Sequence, residues 1–249
     1  MPAPFLQTRS PRQNQLLAAL DEAEWDRWQL LLEPVDLSVG QVLCEPGHSP
    51  EHVVFPTTAI ISLLYTTCDG DSAEIAVVGN DGVVGISLFM GGNATPSQTV
   101  VQSAGQAYRL RAQTMRAEVY RGGAVLNMLL RYTQALIAQV AQTAVCNRYH
   151  SIDQQLSRRL LMGLDRLPSD ELVMTQEGAA GLLGVRREGV TAAALKLQQA
   201  GVIRYSRGHI EVLDRRRLEQ STCECYAVAK KEYDRLLSVP RSLPLQLVA

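Results

Sequence analysis

The 249-residue sequence predicts an α+β fold in three successive parts: a small antiparallel β-roll, one long helix, and a helical unit closed by a β-hairpin. Three observations carry that expectation. Between Val35 and Leu110 short β-rich runs alternate with clusters of turn residues. From Ala124 onward, apolar residues recur with heptad spacing. From Gln176 to Leu195, small and apolar residues sit where two helices joined by a tight turn must touch.

Residues 1–14 lack the apolar core of a signal peptide and read as a disordered leader. "DEAEWDRWQLLLEP" then opens with a capping-box pair, Asp21 and Glu24, and continues at helical spacing through Trp25, Trp28, Leu31 and Leu32 until Pro34 stops it. The strand runs follow: "HVVFP", "AIISLLY", "AEIAVV", "TVVQ" and "AYRL". Between them lie "PGHSP", "CDGDS", "GNDG" and "GGNATP", and the "DGD" at 69–71 is a hairpin signal. Residues 15–123 therefore form the β-roll, ending in a short helix from Ala112 to Val119.

Gly122 and Gly123 break the chain before the long helix, residues 124–147. Its seam is Leu126, Leu130, Thr133, Ile137, Val140 and Ala144, and Leu129, Leu136 and Thr143 widen it on one side. A stripe this broad can face the β-roll and a second copy of itself at once, which predicts a parallel homodimer.

Residues 148–220 make the C-terminal unit. Ser151 and Gln154 repeat the capping-box pattern, and Ile152, Leu156, Leu160, Leu161 and Leu164 give an amphipathic helix ending at Pro168. Ala180 is small where helices approach, Gly184 suits a positive-φ turn, and Val190 packs the second helix on the first. That helix starts at about Arg186 and first exposes Arg187 and Glu188, with Thr191 one turn on. Arg can donate two bonds to guanine and Glu can accept from cytosine. "VIRYSRGHIEVL" then reads as a hairpin wing whose Arg204, Arg207 and His209 suit phosphates. Residues 221–249 add a helix, with Tyr226, Ala229, Tyr233, Leu236 and Leu237 on one side, and a loose tail.

Charge supports a polyanionic partner. Residues 1–146 carry 8 Lys/Arg against 13 Asp/Glu, whereas residues 147–217 carry 12 against 8. No apolar run reaches the roughly 18 residues of a membrane span, so a cytoplasmic protein without membrane contact is expected. The 5 cysteines are scattered and match neither a disulfide framework nor paired Cys-x-x-Cys zinc ligands. They read as ordinary reduced thiols, with no metal site. Catalytic constellations are missing, and a non-enzyme is expected.

In this order of parts, and in "GVRREGVTAAALKLQQAGVIRYSRGHI" and "GNDGVVGISLFMGG", the chain resembles the CRP/FNR superfamily of bacterial transcription regulators over about residues 15–235. The resemblance implies a cyclic-nucleotide-binding-like β-roll, a dimerisation helix and a winged helix-turn-helix. It implies a homodimer on near-palindromic double-stranded DNA, with RNA polymerase as a further partner. Arg187 and Glu188 would read bases and Arg207 would sit in the wing.

The chain departs from the family pattern in three places. Where cyclic-AMP-binding members have Gly-Glu and then Arg-Ser or Arg-Thr, it has Gly85-Ile86 and Ser97-Gln98-Thr99. Without the phosphate-pairing Arg, usual cyclic-AMP binding is not expected, and these five residues mark an effector pocket of unknown ligand. The clustered N-terminal cysteines of iron–sulfur members are missing before Cys44. Arg186 replaces the usual Ser or Thr N-cap. None of His48, His52, His150 and His209 has a paired haem-ligand pattern. No cofactor is required. The alternatives are a ligand-sensing module acting through protein contacts, a classical cyclic-nucleotide regulator, and a thiol redox protein using Cys223 and Cys225.

Overall fold

The computed structural model describes residues 10–167 and 171–237. The expected leader therefore falls only partly within it, and Pro168 and the tail from 238 lie outside the described residues. Residues 10–14 correct the leader boundary. A 3-10 turn, Pro11–Gln13, leads to Asn14, which is fully buried. Asn14 caps α1 (Gln15–Ala18) by accepting from the Leu16 and Leu17 amides, and donates to Pro56 O at 2.9 Å and Gly82 O at 2.8 Å. A buried amide with its partners supplied fixes the chain start against the roll.

α2 (Glu22–Trp28) is capped by Asp21 and buries Trp28 edge-on to Phe55, ring centroids 6.0 Å apart. It ends at Trp28, earlier than expected. Pro34 stops no helix. It lies inside β1 (Glu33–Leu37), a sheet-edge strand where the missing N–H costs no ladder bond.

The roll continues with β2 (Val42–Cys44), β3 (His52–Pro56), β4 (Ile60–Thr66), β5 (Ser72–Val78), α3 (Ser87–Met90), β6 (Gln98–Ser103) and β7 (Gly105–Arg111). Two antiparallel sheets form, in orders β1-β7-β3 and β2-β6-β4-β5. β4 and β5 close over the "DGD" turn, Thr66 opposite Ser72. The inner faces and the long helix share one core, including Phe55, Ile61, Val78, Leu110, Leu129 and Tyr132. β1, β2 and α3 escape the sequence reading because they are too short or too mixed to show periodicity.

α4 (Ala112–Arg121) gives way at the positive-φ pair Gly122 and Gly123 to α5 (Gly123–Tyr149). Beyond the hinge at His150, α6 (Ile152–Leu164) carries the complete capping box of Ser151 and Gln154. Then come β8 (Glu171–Val173), α7 (Gln176–Leu183), α8 (Arg187–Gln199), β9 (Ile203–Ser206), β10 (His209–Val212), α9 (Arg215–Gln220) and α10 (Glu224–Leu237). β8-β10-β9 form an antiparallel sheet, and Leu156, Leu160, Ala193, Leu197, Ile203 and Leu218 fill a second core beneath it.

The two cores are joined by polar and apolar ties. Arg159, on α6, makes a two-pronged pair with Glu74 of β5, at 2.6 and 3.1 Å, and both side chains are buried. Arg166 grips Asp81 at 2.6 and 3.0 Å. Gln139 of α5 accepts from the Val77 amide at 2.7 Å and donates to the Tyr233 hydroxyl at 2.9 Å. α10 places Tyr226 in the second core and Tyr233 and Leu236 in the first.

Candidate nucleic-acid interface

Local sequence builds the paired helices as expected. Thr175 caps α7 by accepting from the Gly178 amide at 2.9 Å. Gly184 ends it at φ 64°, and the Val185 amide returns to Ala180 O at 3.1 Å. A Cβ at Gly184 would also stand 3.3 Å from Ala73 Cβ, so the turn between the helices abuts β5. Ala180, Val190, Ala193 and Ala194 are buried between α7, α8 and α6.

α8 begins at Arg187. Arg186, expected as its first residue, is the extended N-cap residue and makes no side-chain cap bond. Its bulk cannot replace a Ser or Thr oxygen there, an omission of about 1 kcal/mol. Arg187, Glu188 and Thr191 all face solvent on the first turns. Arg187 has only a loose neighbour, Glu177, at 4.0 Å, with both side chains well exposed. The Thr191 hydroxyl lies 2.8 Å from Gln176 Oε1 and 3.0 Å from Arg187 O, which orients it from both helices.

The wing separates its cations. At its tip Arg207 takes φ 50° beside Gly208 at φ 82°, the left-handed pair of a two-residue hairpin turn. Arg207 is exposed and has no ion pair among the described residues. Arg204 and His209, expected to meet phosphates, each already have a carboxylate neighbour. Arg204 meets Glu211 at 2.6 Å across the hairpin, and His209 Nδ1 meets Glu171 of β8 at 2.6 Å. The unrecognised strand β8 supplies that carboxylate.

On α5 the seam divides. Leu130 and Ile137 are 49% and 58% exposed, Ala144 is exposed and Leu126 partly so. Thr133 is buried and bonds Leu129 O, and Val140 packs on the β-roll core. The exposed line instead runs Leu130, Gln134, Ile137, Ala141, Ala144, which keeps the heptad steps while Leu129 and Leu136 stay inside.

Between the roll and α5 lies a cavity of about 980 Å³. Gly85, Ile86, Ser97 and Thr99 line it as expected, joined by Leu136, Ile137 and Val140 of α5. Gln98 does not line it, because β-strand alternation turns it outward to Glu45, 2.8 Å away. Arg109 is the arginine on the wall, and Glu33 neutralises it at 3.0 Å.

The five cysteines are free thiols, as expected, but three of them are not scattered. Cys146 meets the distant pair Cys223 and Cys225 beside His150, where α5 gives way to α6. No local spacing could reveal this, since Cys146 and Cys223 are 77 positions apart.

Residues 154–221 match the Crp-like helix-turn-helix domain. No curated protein is significantly similar to the chain in sequence. Among solved structures, it is similar to a CRP/FNR-family transcriptional regulator of Eubacterium rectale, at 18% identity over 82% of this chain and 96% of that one, TM-score 0.64. FixK2 of Bradyrhizobium japonicum matches at 14% identity over 77% and 98%, TM-score 0.65. The c-di-GMP-responsive global regulator CLP of Xanthomonas campestris matches at 13% over 77% and 99%, TM-score 0.58.

Proposed function

We infer that this chain, of the CRP/FNR type with a Crp-like helix-turn-helix domain, works as a homodimeric regulator reading a near-palindromic DNA duplex. The observation that carries this reading is the exposed first turn of α8. Arg187 and Glu188 stand free of buried partners on a helix whose opposite face is locked into the second core. Residues at that end of a recognition helix reach base edges, where Arg suits guanine and Glu suits cytosine. Arg186 and the wing-tip Arg207 supply phosphate contacts. Thr191 is the third base-facing side chain.

Dimerisation rests on Leu130, Ile137 and Ala144, with Leu126 at the edge of the seam. It sets the two recognition helices to successive major grooves about 34 Å apart. In this reading residues 15–123 are the sensor, 124–147 the dimer helix and 148–220 the DNA-binding unit, working in the cytoplasm with RNA polymerase as the downstream partner.

The cavity behind Gly85, Ile86, Ser97 and Thr99 takes the effector. Its walls are mainly apolar and its arginine is already paired with Glu33, which disfavours a cyclic phosphate held in the usual way. Ile137 lines both the cavity and the exposed seam, so a ligand there acts directly on the dimer contact.

Selection of bound duplexes from a random pool with purified protein tests it. Enrichment of a two-fold symmetric site is expected, and Ile137→Asp should give monomers in sedimentation that no longer enrich it. Enrichment of a single half-site by wild type, or an undisturbed dimer in Ile137→Asp, would overturn the dimeric reading.

A further inference from the structure

Where α5 ends, the hinge turns and α10 begins, three thiols and an imidazole converge. The potential ligand atoms of Cys146, His150, Cys223 and Cys225 all lie within 4.8 Å of one another. Cys146 Sγ is 3.6 Å from Cys223 Sγ, and Cys225 Sγ is 3.4 Å from His150 Nδ1. Zinc–sulfur bonds of about 2.3 Å at tetrahedral angles place the sulfurs about 3.8 Å apart, so this spacing is close to that of a closed site. All three cysteines are buried.

The surroundings are those of metal ligands. His150 turns Nδ1 inward and holds Nε2 3.3 Å from Glu224 Oε1, the carboxylate–imidazole arrangement that fixes the tautomer of a ligating histidine. Gln142 Nε2 donates to Cys225 Sγ at 3.0 Å, and Cys225 sits in the first turn of α10. A second, independent observation concerns charge. Arg158 is 6% exposed; its Nη2 donates to Thr143 Oγ1 at 2.9 Å, but its Nε has no hydrogen-bond partner and no carboxylate pairs with it among the described residues. Its charge acts on Cys146. A buried guanidinium without a counter-charge is costly. A divalent ion with three thiolates and a neutral imidazole carries one net negative charge, which would supply the missing partner.

We propose that Cys146, His150, Cys223 and Cys225 bind one Zn(II) ion per chain as a closed, four-ligand structural site. The ion fastens the end of the dimer helix to the root of α10, at the pivot between sensor and DNA-binding unit. All four positions are filled by protein, so the site holds no water and does no chemistry. Metal binding replaces the thiol protons, which leave to solvent.

The test uses the full-length chain purified under reducing, anaerobic conditions from zinc-replete cells. One zinc per chain by elemental analysis is expected. Refilling the stripped protein with Co(II) should give the visible bands and thiolate charge-transfer absorption of a tetrahedral sulfur-rich site. Cys223→Ser/Cys225→Ser should lose both signals. If that variant misfolds, Glu224→Ala decides: its side chain is 70% exposed, and losing the carboxylate behind His150 should weaken zinc binding roughly 10–100-fold. Two results would overturn the proposal: no stoichiometric metal, or Co(II) bands that survive the double substitution.

Discussion

The exposed turn of α8 and the buried seam where α6 meets the β-roll both depend on arginine, and they use it in opposite ways. Arg187 projects into solvent with one distant carboxylate for company. Arg159 and Arg166 are sealed inside, each gripped by both oxygens of one acid from the other core. In the first region the charge is left exposed, with no tight partner among the described residues. In the second it is spent on joining two units of one chain. A basic stretch of sequence is therefore a poor measure of a DNA-facing surface. Of the 12 cations between 147 and 217, Arg158, Arg159 and Arg166 are buried, and Arg204 faces a carboxylate.

The largest effect should come from breaking the buried side of this comparison. Glu74→Ala leaves Arg159 unpaired in the interior and should cost about 3–5 kcal/mol in urea unfolding. The double change Glu74→Leu/Arg159→Met should recover most of that, because an apolar pair of similar volume needs no desolvation. A loss below about 1 kcal/mol in Glu74→Ala, the value of a surface pair, would make the junction solvent-like.

On the exposed side the pattern should invert. Arg187→Ala should change stability by less than about 0.5 kcal/mol. Its cost should appear in binding competition between the selected site and a single-base variant, as about 1–3 kcal/mol of lost discrimination. Equal weakening on every sequence would demote Arg187 to a backbone contact.

Arg207→Ala should act more weakly and without sequence preference. The slope of log affinity against log salt should fall by about one unit. Arg204→Ala should barely move that slope, since Glu211 already screens its charge.

The smallest effect concerns Arg158. Burial pushes the Cys146 thiol up to about 12, and Arg158 opposes that shift. In metal-free protein the Cys146 Cβ chemical shift should therefore titrate well above the ordinary thiol range near about 8.5. Arg158→Met removes the favourable charge, so the thiolate is harder to form and the midpoint should move higher still. An unmoved midpoint would separate the guanidinium from the cysteine cluster.

Much of this architecture can be read directly from the chain. Ala180, Gly184 and Val190 locate the paired helices because one short turn forces all three, and the runs from "HVVFP" to "AYRL" locate strands because each is long enough to alternate. The α5 seam was readable as a period but not as a face. Its residues recur every seven positions, yet only packing shows that Thr133 and Val140 turn toward the roll while Ala141 turns out. Gln98 failed for the same reason one residue either way: a strand flips its side chains at every step. β8 and the cysteine cluster were illegible because their meaning lies in pairing across long separations. Glu171 is defined by His209, and Cys146 by Cys223.

α10 has one more consequence. Tyr233 meets Tyr132 edge-on inside the first core, ring centroids 6.5 Å apart, with the Arg166 guanidinium 5.7 Å from its own ring. The core of the β-roll is thus completed by residues more than 120 positions beyond its last strand. During translation the β-roll emerges with a gap that stays open until residue 236 has left the ribosome. Until then the nascent roll has no Tyr233 or Leu236 to pack against, so its core is completed only once α10 has been made.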